Sequence, residues 1–414
     1  MNFPVKLAAP LIAALAVTAC NAGGSSNVPA TAGNLPAVQS DWSGFRHVPQ
    51  WAAKHQARAA CPQVAGPVAS CLALIGNHID PLVNGLGPSD FQTRYNLPSS
   101  TNGSGQVVAI VDAYDQPNAA SDLATYRSEF DLGTANFTKF NEYGEQGDYP
   151  PSCTESSGWC VEEDLDIEMV SAVCPLCTIY LIEAQPTTAG LETAEAEAVT
   201  LGAHIVSNSW ICYGSSTCGY SNFVSYFDKP GVVYLAGSGD AGYNENGAPE
   251  ALASVISAGG TDLSKTSSGY TETVWDDSGG GCSNNGSGSG VAKPSWQKDP
   301  SCSYRTDADI AAVACICVAE YDSNEGGWFE VGGTSVATPM NAGIFGLAEN
   351  ASSQNAASKF WKASNHKRNK DLHYISSGSD GSCDNSYLCQ AGTKQYHTYA
   401  GPIGWGTPNG IKLY

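Results

Sequence analysis

The feature that most limits how this chain can fold is an alternation of buried strands with helices. Gln106-Val107-Val108-Ala109-Ile110-Val111-Asp112 is an almost unbroken apolar run. A strand reads this way when both faces are covered, as in a parallel sheet. Runs of the same kind recur at 178–183, 205–209, 231–236 and 253–258. Helical text follows the first run at 118–130, and residues 191–201, closed by Gly202, bridge the second and third. The pattern predicts an α/β fold: a wound domain with a mostly parallel central sheet flanked by helices. Sites in such sheets gather at the carboxyl ends of strands, where Asp112, Ser209-Trp210 and Gly239-Asp240 stand.

A second constraint is the stretch Gly332-Gly333-Thr334-Ser335-Val336-Ala337-Thr338-Pro339-Met340, followed by Ala342, Gly343 and Gly346. Ser335 suits an N-cap, and Pro339 suits the opening turn of a helix. The small residues let that helix approach a sheet closely. A hydroxyl at such a helix start lies beside unpaired backbone N–H groups, a setting for a nucleophile near an oxyanion site. An ordinary capping serine on a buried helix uses the same residues.

Helical character returns at Trp159-Cys160-Val161-Glu162-Glu163-Asp164-Leu165-Asp166-Ile167-Glu168-Met169-Val170. Glu162 and Asp166 are four apart and share a face that continues into Met169, Val170 and Val173. The pair is therefore expected to point inward, and Glu163, Asp164 and Glu168 outward. Two like charges on an inward stripe cannot both ionise cheaply, so one pKa should rise, giving a proton-sharing pair fit for acid/base work. A solvated acidic helix is the plain alternative. Asp240, in Gly237-Ser238-Gly239-Asp240-Ala241-Gly242, follows an apolar strand and suits a carboxyl beside a reacting centre; an Asx-turn explains it equally.

Together these segments resemble the sedolisin (serine-carboxyl peptidase) family, a subtilisin-fold group of acid endopeptidases, over residues 88–414. Gly333-Thr334-Ser335-Val336-Ala337-Thr338-Pro339 resembles the family's Gly-Thr-Ser-x-x-x-Pro turn, and Glu162-Glu163-Asp164-Leu165-Asp166 its Glu-x-x-Leu-Asp pair. Gly239-Asp240-x-Gly242 resembles the oxyanion aspartate, while Ala258-Gly259-Gly260-Thr261 and Gly404-Trp405-Gly406-Thr407-Pro408 fit further segments. The resemblance implies an endopeptidase acting on protein or peptide substrates. Ser335 would be the acyl nucleophile and Glu162 its general base. Asp166 would orient Glu162 and share its proton, and Asp240, protonated, would donate to the oxyanion. A carboxylate base and a neutral carboxylic donor coexist most readily at acid pH.

Two departures accompany it. The family carries a long N-terminal pro-domain, for which residues 21–87 are too few. Its calcium site is also altered: Tyr374-Ile375-Ser376-Ser377-Gly378 stands where an Asp-(Val/Ile)-Thr-x-Gly segment belongs. The approach to the last glycine-rich segment, Tyr399-Ala400-Gly401-Pro402-Ile403-Gly404, lacks the second aspartate. With Tyr374 and Ala400 in place of carboxylates, no metal cofactor is expected, since calcium relies on carboxylate charge. Asp371, Asp380 or Asp384 would have to substitute, and a Cys383–Cys389 bridge would pin the same loop.

Residues 1–20 read as an export signal, Lys6 followed by an apolar run too short to span a bilayer. It ends in Val17-Thr18-Ala19-Cys20, which resembles a bacterial lipobox, so a lipid anchor at Cys20 and a periplasmic or cell-surface location are expected, with plain secretion the alternative. Residues 21–87 then form a linker and short lead-in with a disulfide loop, ahead of the domain at 88–414. Setting Cys20 aside leaves fourteen of the 15 cysteines, in near neighbours: 61 and 71, 153 and 160, 174 and 177, 212 and 218, 282 and 302, 315 and 317, 383 and 389. In an exported chain these predict short disulfide loops, with 315 and 317 the weakest pair, because one intervening residue strains the bridge. An excess of 40 Asp+Glu over 19 Lys+Arg, spread along the chain, argues against nucleic acid as a partner. A monomer is expected.

Two other readings compete. A Ser-His-Asp subtilisin-type protease would use Asp112 at its strand end, but needs a histidine at a helix start. None of His47, His55, His78, His204, His366, His373 and His397 precedes a glycine. Asp112 is then expected to be structural, bonded to a loop backbone. A non-catalytic peptide-binding lipoprotein would keep the fold without the chemistry, yet all four catalytic positions carry the needed residue type.

Overall fold

A computed structural model describes residues 48–54, 56–62, 68–79, 83, 85–213, 218–245, 247–283, 290–353, 356–384, 386–392 and 398–414. The export signal, Cys20 and most of the linker lie outside the described residues, as do His47, His55 and His397. The central sheet runs Gly269–Val274, Val255–Thr266, Val233–Gly237, Ile205–Asn208, Val107–Ala113, Thr178–Ala184, Asn136–Asn141, with Ile310–Val313 also beside Val255–Thr266. Every pairing is parallel except the hairpin between Val255–Thr266 and Gly269–Val274. This is the expected α/β architecture. Three strands of this sheet escaped the sequence: Asn136–Asn141, whose only apolar residues are Phe137 and Phe140, and Gly269–Val274 are partly exposed edges, and Ile310–Val313 is only four residues long.

The helix Thr334–Ala348 carries the small residues, and Trp159–Val173 carries the carboxylates; the two pack against one another. Glycine is required at their contact. A Cβ on Gly343 would lie 2.4 Å from Val173 Cγ2, and one on Gly346 2.5 Å from Cys177 Sγ. The serine helix begins two residues earlier than an N-cap at Ser335 would place it. Its cap is Gly333, at a φ of 106° that favours glycine, and Thr334 opens the helix. Pro339 lies inside the helix, not in its opening turn, and lacks the N–H that the Ser335 carbonyl would otherwise accept.

The lead-in is woven into the same body. Ala57–Ala59, Leu74–Ile79, Gly327–Gly332 and Val318–Asp322 form a four-stranded antiparallel sheet in that order. Ser70–Cys71 pairs antiparallel with Trp210–Ile211. Seven disulfides join the near neighbours, Cys315–Cys317 included. No helix among the described residues is long and apolar enough to cross a membrane.

Candidate active site

The site forms where three strand ends meet the starts of the two packed helices. Ser335 is fully buried, and its hydroxyl lies 3.5 Å from the Ser209 carbonyl, a long hydrogen bond. Glu162 lies near enough for that hydroxyl to favour its charged form. Its Oε2 accepts from the backbone N–H groups of Leu72 at 2.8 Å and Ala73 at 2.7 Å, whereas Oε1 has no partner. Burial is the main reason its pKa rises well above the usual carboxylate range, with the Asp112 charge next; Ser335 and the Ala73 amide pull the other way. The sequence placed Glu162 and Asp166 on one inward face, and the structure does so. No hydrogen bond joins the two carboxyls: Asp166 Oδ1 accepts from Ser209 Oγ at 2.7 Å, and its Oδ2 is unpartnered.

Asp240 reaches the same point from the glycine-rich turn. Its Oδ1 accepts from the Thr334 amide at 2.8 Å and Oγ1 at 2.9 Å, which leaves Oδ2 buried without a partner. Burial raises its pKa well above the ordinary value despite these two donors. A carboxyl that stays protonated can donate from the free oxygen, beside the helix start that carries Ser335.

Two expectations fail. Glu163, Asp164 and Glu168 do not face solvent: the whole acidic helix is enclosed, and all five of its carboxylates are 0% exposed. Helical spacing assigns faces relative to one neighbour, but this helix is covered on every side, by the serine helix, the central sheet, the strand Val318–Asp322 and the helix Ala119–Glu129, with the lead-in at Glu162. Asp112 is also not bonded to a loop backbone. Neither of its oxygens has a partner, and its pKa is pushed up to about 8, first by burial and then by Glu183, which sits opposite it in the parallel ladder. Its charge acts on both Glu162 and Asp166, so it belongs electrostatically to the site. Its place at a strand end was the available signal. Leu72 and Ala73, from a lead-in without clear periodicity, gave none.

Histidine is engaged elsewhere: His204 is exposed and its Nδ1 meets the Gly231 carbonyl at 2.9 Å, while His373 Nε2 meets the Arg94 carbonyl at 2.8 Å. Among the described residues, one group has the spacing to hold a metal ion: carboxylate oxygens of Asp122, Asp164 and Asp322 lie within 4.8 Å of one another. Neither Tyr374 nor Ala400 belongs to it.

No family model matches the chain. Among curated proteins it is 25% identical over 362 residues to Sedolisin of Pseudomonas sp. (strain 101), an alignment covering 80% of this chain and 60% of that protein. It is 28% identical over 291 residues to Kumamolisin of Bacillus sp. (strain MN-32), covering 62% and 51%. The chain thus spans less than two thirds of the length of these relatives. Among solved structures it is similar to Pseudomonas sedolisin, described as a serine-carboxyl proteinase complexed with two molecules of pseudo-iodotyrostatin. There the TM-score is 0.63 at 24% identity, covering 79% of this chain and 96% of that one, a likeness that shows the fold.

Proposed function

Since the chain belongs to the sedolisin family and has its subtilisin-like fold, we propose that it is an acid-active serine-carboxyl endopeptidase. The observation that carries this reading is the convergence of Ser335, Glu162 and Asp240. The hydroxyl acts on Glu162, a buried carboxyl with one unpartnered oxygen, and it follows directly after Thr334, which holds Asp240 with its Oδ2 unpartnered. Ser335 Oγ attacks the peptide carbonyl and Glu162 takes its proton. Asp240, protonated, donates to the oxyanion, and Glu162 returns the proton to the departing amine. Water then hydrolyses the acyl-enzyme by the same route. Asp166, held by Ser209, and Asp112 keep Glu162 in a coupled cluster, whose first proton leaves more readily than later ones. Loss of that proton makes the base, and loss of the Asp240 proton removes the donor. Activity should therefore be bell-shaped in pH, on the acid side of neutrality.

Protein and peptide substrates follow from this chemistry. The disulfides support an exported, oxidised location, and Val17-Thr18-Ala19-Cys20 supports a lipid anchor at Cys20. The test is peptide hydrolysis by the purified protein across pH, with variants. Ser335→Ala, Glu162→Gln and Asp240→Ala should each cost about 10²–10³-fold or more, without adding. Asp240→Asn should keep more activity than Asp240→Ala, since an amide still donates. A neutral optimum that needs His204 and ignores Glu162→Gln would overturn the mechanism in favour of a Ser-His-Asp triad.

A further inference from the structure

A cavity of about 570 Å³ is lined by Trp361, Arg368, Tyr387, Tyr399 and Trp405, and by none of the four catalytic residues. A space of this size holds a small ligand. Its rings form a continuous set: Trp361 lies 4.5 Å from Tyr399 and 5.4 Å from Trp405, and Tyr387 lies 6.5 Å from Tyr399. Arg368 stacks on them, its guanidinium carbon 3.3 Å from the Trp405 ring centre. Arg368 is only 5% exposed. A guanidinium buried to this degree ordinarily faces a carboxylate. Here Nε and Nη2 donate to the Phe360 carbonyl at 3.0 and 2.8 Å, Nη2 to the Trp361 carbonyl at 2.7 Å, and Nη1 to Asn365 Oδ1 at 3.1 Å. Those acceptors are neutral, and they leave one N–H of Nη1 unspent. Burial pushes the Arg368 pKa down to about 10, with no anion opposing it. The Trp405 indole N–H is also buried without a partner, although such a group usually finds one. The one carboxylate on the wall, Asp299, is already taken: Tyr387, the Cys302 amide, Thr306 Oγ1 and Lys293 all donate to it. Lys298, exposed on the same wall, adds a further positive charge, its Nζ on the Ser295 carbonyl at 2.6 Å.

We propose that this cavity is a second binding site, for a carboxylate carried on an apolar body, as in an aromatic acid or the carboxyl-terminal residue of a peptide. The carboxylate supplies the counter-charge that Arg368 lacks and accepts from its unspent Nη1 N–H, with Trp405 Nε1 as a second donor on the same wall. The apolar body covers the rings of Trp361 and Tyr399 and displaces water from them. A charge-assisted hydrogen bond is about twice as strong as a neutral one, so an acid is preferred to an amide of the same shape. A sugar fits less well, because its hydroxyls donate as well as accept and no carboxylate on the wall is free to receive them. The site is independent of the peptidase reading, since it shares no residue with the catalytic groups.

The experiment titrates the purified wild type with 3-phenylpropanoate, with N-acetylphenylalanine and with the amide of N-acetylphenylalanine, read by calorimetry and tryptophan fluorescence at pH 6. Both acids should bind at one site, and the amide about tenfold or more weakly. The preference should fade at pH 3, where a carboxyl of ordinary pKa, about 4, is protonated. Arg368→Gln should abolish the preference. Trp405→Phe, which keeps a ring but not the N–H, should weaken both acids about threefold or more. Arg368 also ties the carbonyls of Phe360 and Trp361, so if Arg368→Gln fails to fold, Trp405→Phe decides. Tighter binding of N-acetylphenylalanine assigns a peptide's carboxyl terminus as the ligand, and equal binding of the two acids assigns a free acid; either supports the proposal. Equal binding of acid and amide, no binding at millimolar concentration, or acid binding unchanged in every variant that folds would overturn it.

Discussion

The serine helix Thr334–Ala348 and the acidic helix Trp159–Val173 have the same length, touch along their sides and are both almost wholly enclosed. They reach burial by opposite means. The serine helix carries no charged side chain and gets close to its neighbours by being small. The acidic helix carries Glu162, Glu163, Asp164, Asp166 and Glu168, all at 0% exposure. A buried carboxyl is tolerated only if paired, hydrogen-bonded or neutral. Here several oxygens have no partner, among them both of Glu163, so neutrality is the remaining route. One helix is therefore held by shape and the other by protons.

Gly343→Val should show the largest effect, because it attacks the contact where shape rules. The added branch would collide with Val173, since even a bare Cβ comes within 2.4 Å of it. Overpacking of this kind costs about 1–3 kcal/mol, and more where both partners are helix backbones that cannot move apart. The loss, read by denaturant unfolding, should be the same at pH 4 and pH 7. A loss confined to one pH would break the distinction between the helices.

The same contrast explains what the sequence disclosed. Strands buried on both faces announce themselves as apolar runs, and a glycine-rich turn before a small-residue helix is equally plain. The positions of Ser335, Glu162, Asp166 and Asp240 were readable because each sits in a short local pattern, and the structure brings the four together. The burial of Glu163, Asp164 and Glu168 was not readable. It depends on Val318–Asp322, which lies about 150 residues away in sequence and places its own Glu320 and Asp322 against them. Long-range cover of a charged face leaves no mark in local periodicity. Nor does an inserted lead-in: Leu72 and Ala73 acquire meaning only from Glu162, whose Oε2 accepts from both amides.

Protons should set the next largest effect. Asp112 and Glu183 face each other across the ladder, and burial pushes each to about 8 from ordinary values of 3.8 and 4.5. Glu163 shares their surroundings and is raised too, and Lys139, 3.0 Å from Glu183, opposes the rise. Between about pH 4 and 8 the native protein thus binds more protons than the unfolded chain, so stability falls as pH rises through that window. Its full contribution is present below pH 4. Asp90 and Asp299 act oppositely and only at lower pH: burial raises their pKa values, but Lys265 and the Gly87 amide at Asp90, and Tyr387, the Cys302 amide and Lys293 at Asp299, outweigh it and leave them lowered. The melting temperature should accordingly drop from pH 4 to pH 8. Asp112→Asn should flatten that slope. A melting temperature that rises over the same range would remove protonation as the support of the acidic helix.

The smallest effect concerns metal, and it asks whether either end of the comparison needs an ion. At the C-terminal loop, Ala400 is enclosed in an apolar cluster with Val274, Ala311, Ile375, Ala391 and Ile403, an environment that offers calcium no carboxylate. Asp380 is close in sequence, but it is buried with both oxygens unpartnered, and burial and then Asp277 hold its pKa well above the ordinary value. A neutral lone carboxyl is a poor ligand for a cation that takes about six to eight oxygens. The Cys383–Cys389 bridge, with Cα atoms 6.0 Å apart, closes the same loop covalently. Exhaustive chelation should therefore leave the melting temperature unchanged, because an ion that stabilises only the native state must raise it when bound. A fall of several degrees would overturn this. If Asp380→Asn abolished that fall, calcium would belong to the C-terminal loop after all. If Asp322→Asn abolished it instead, the ion would lie at Asp122, Asp164 and Asp322, and the acidic helix would be neutralised in part by metal and not by protons alone.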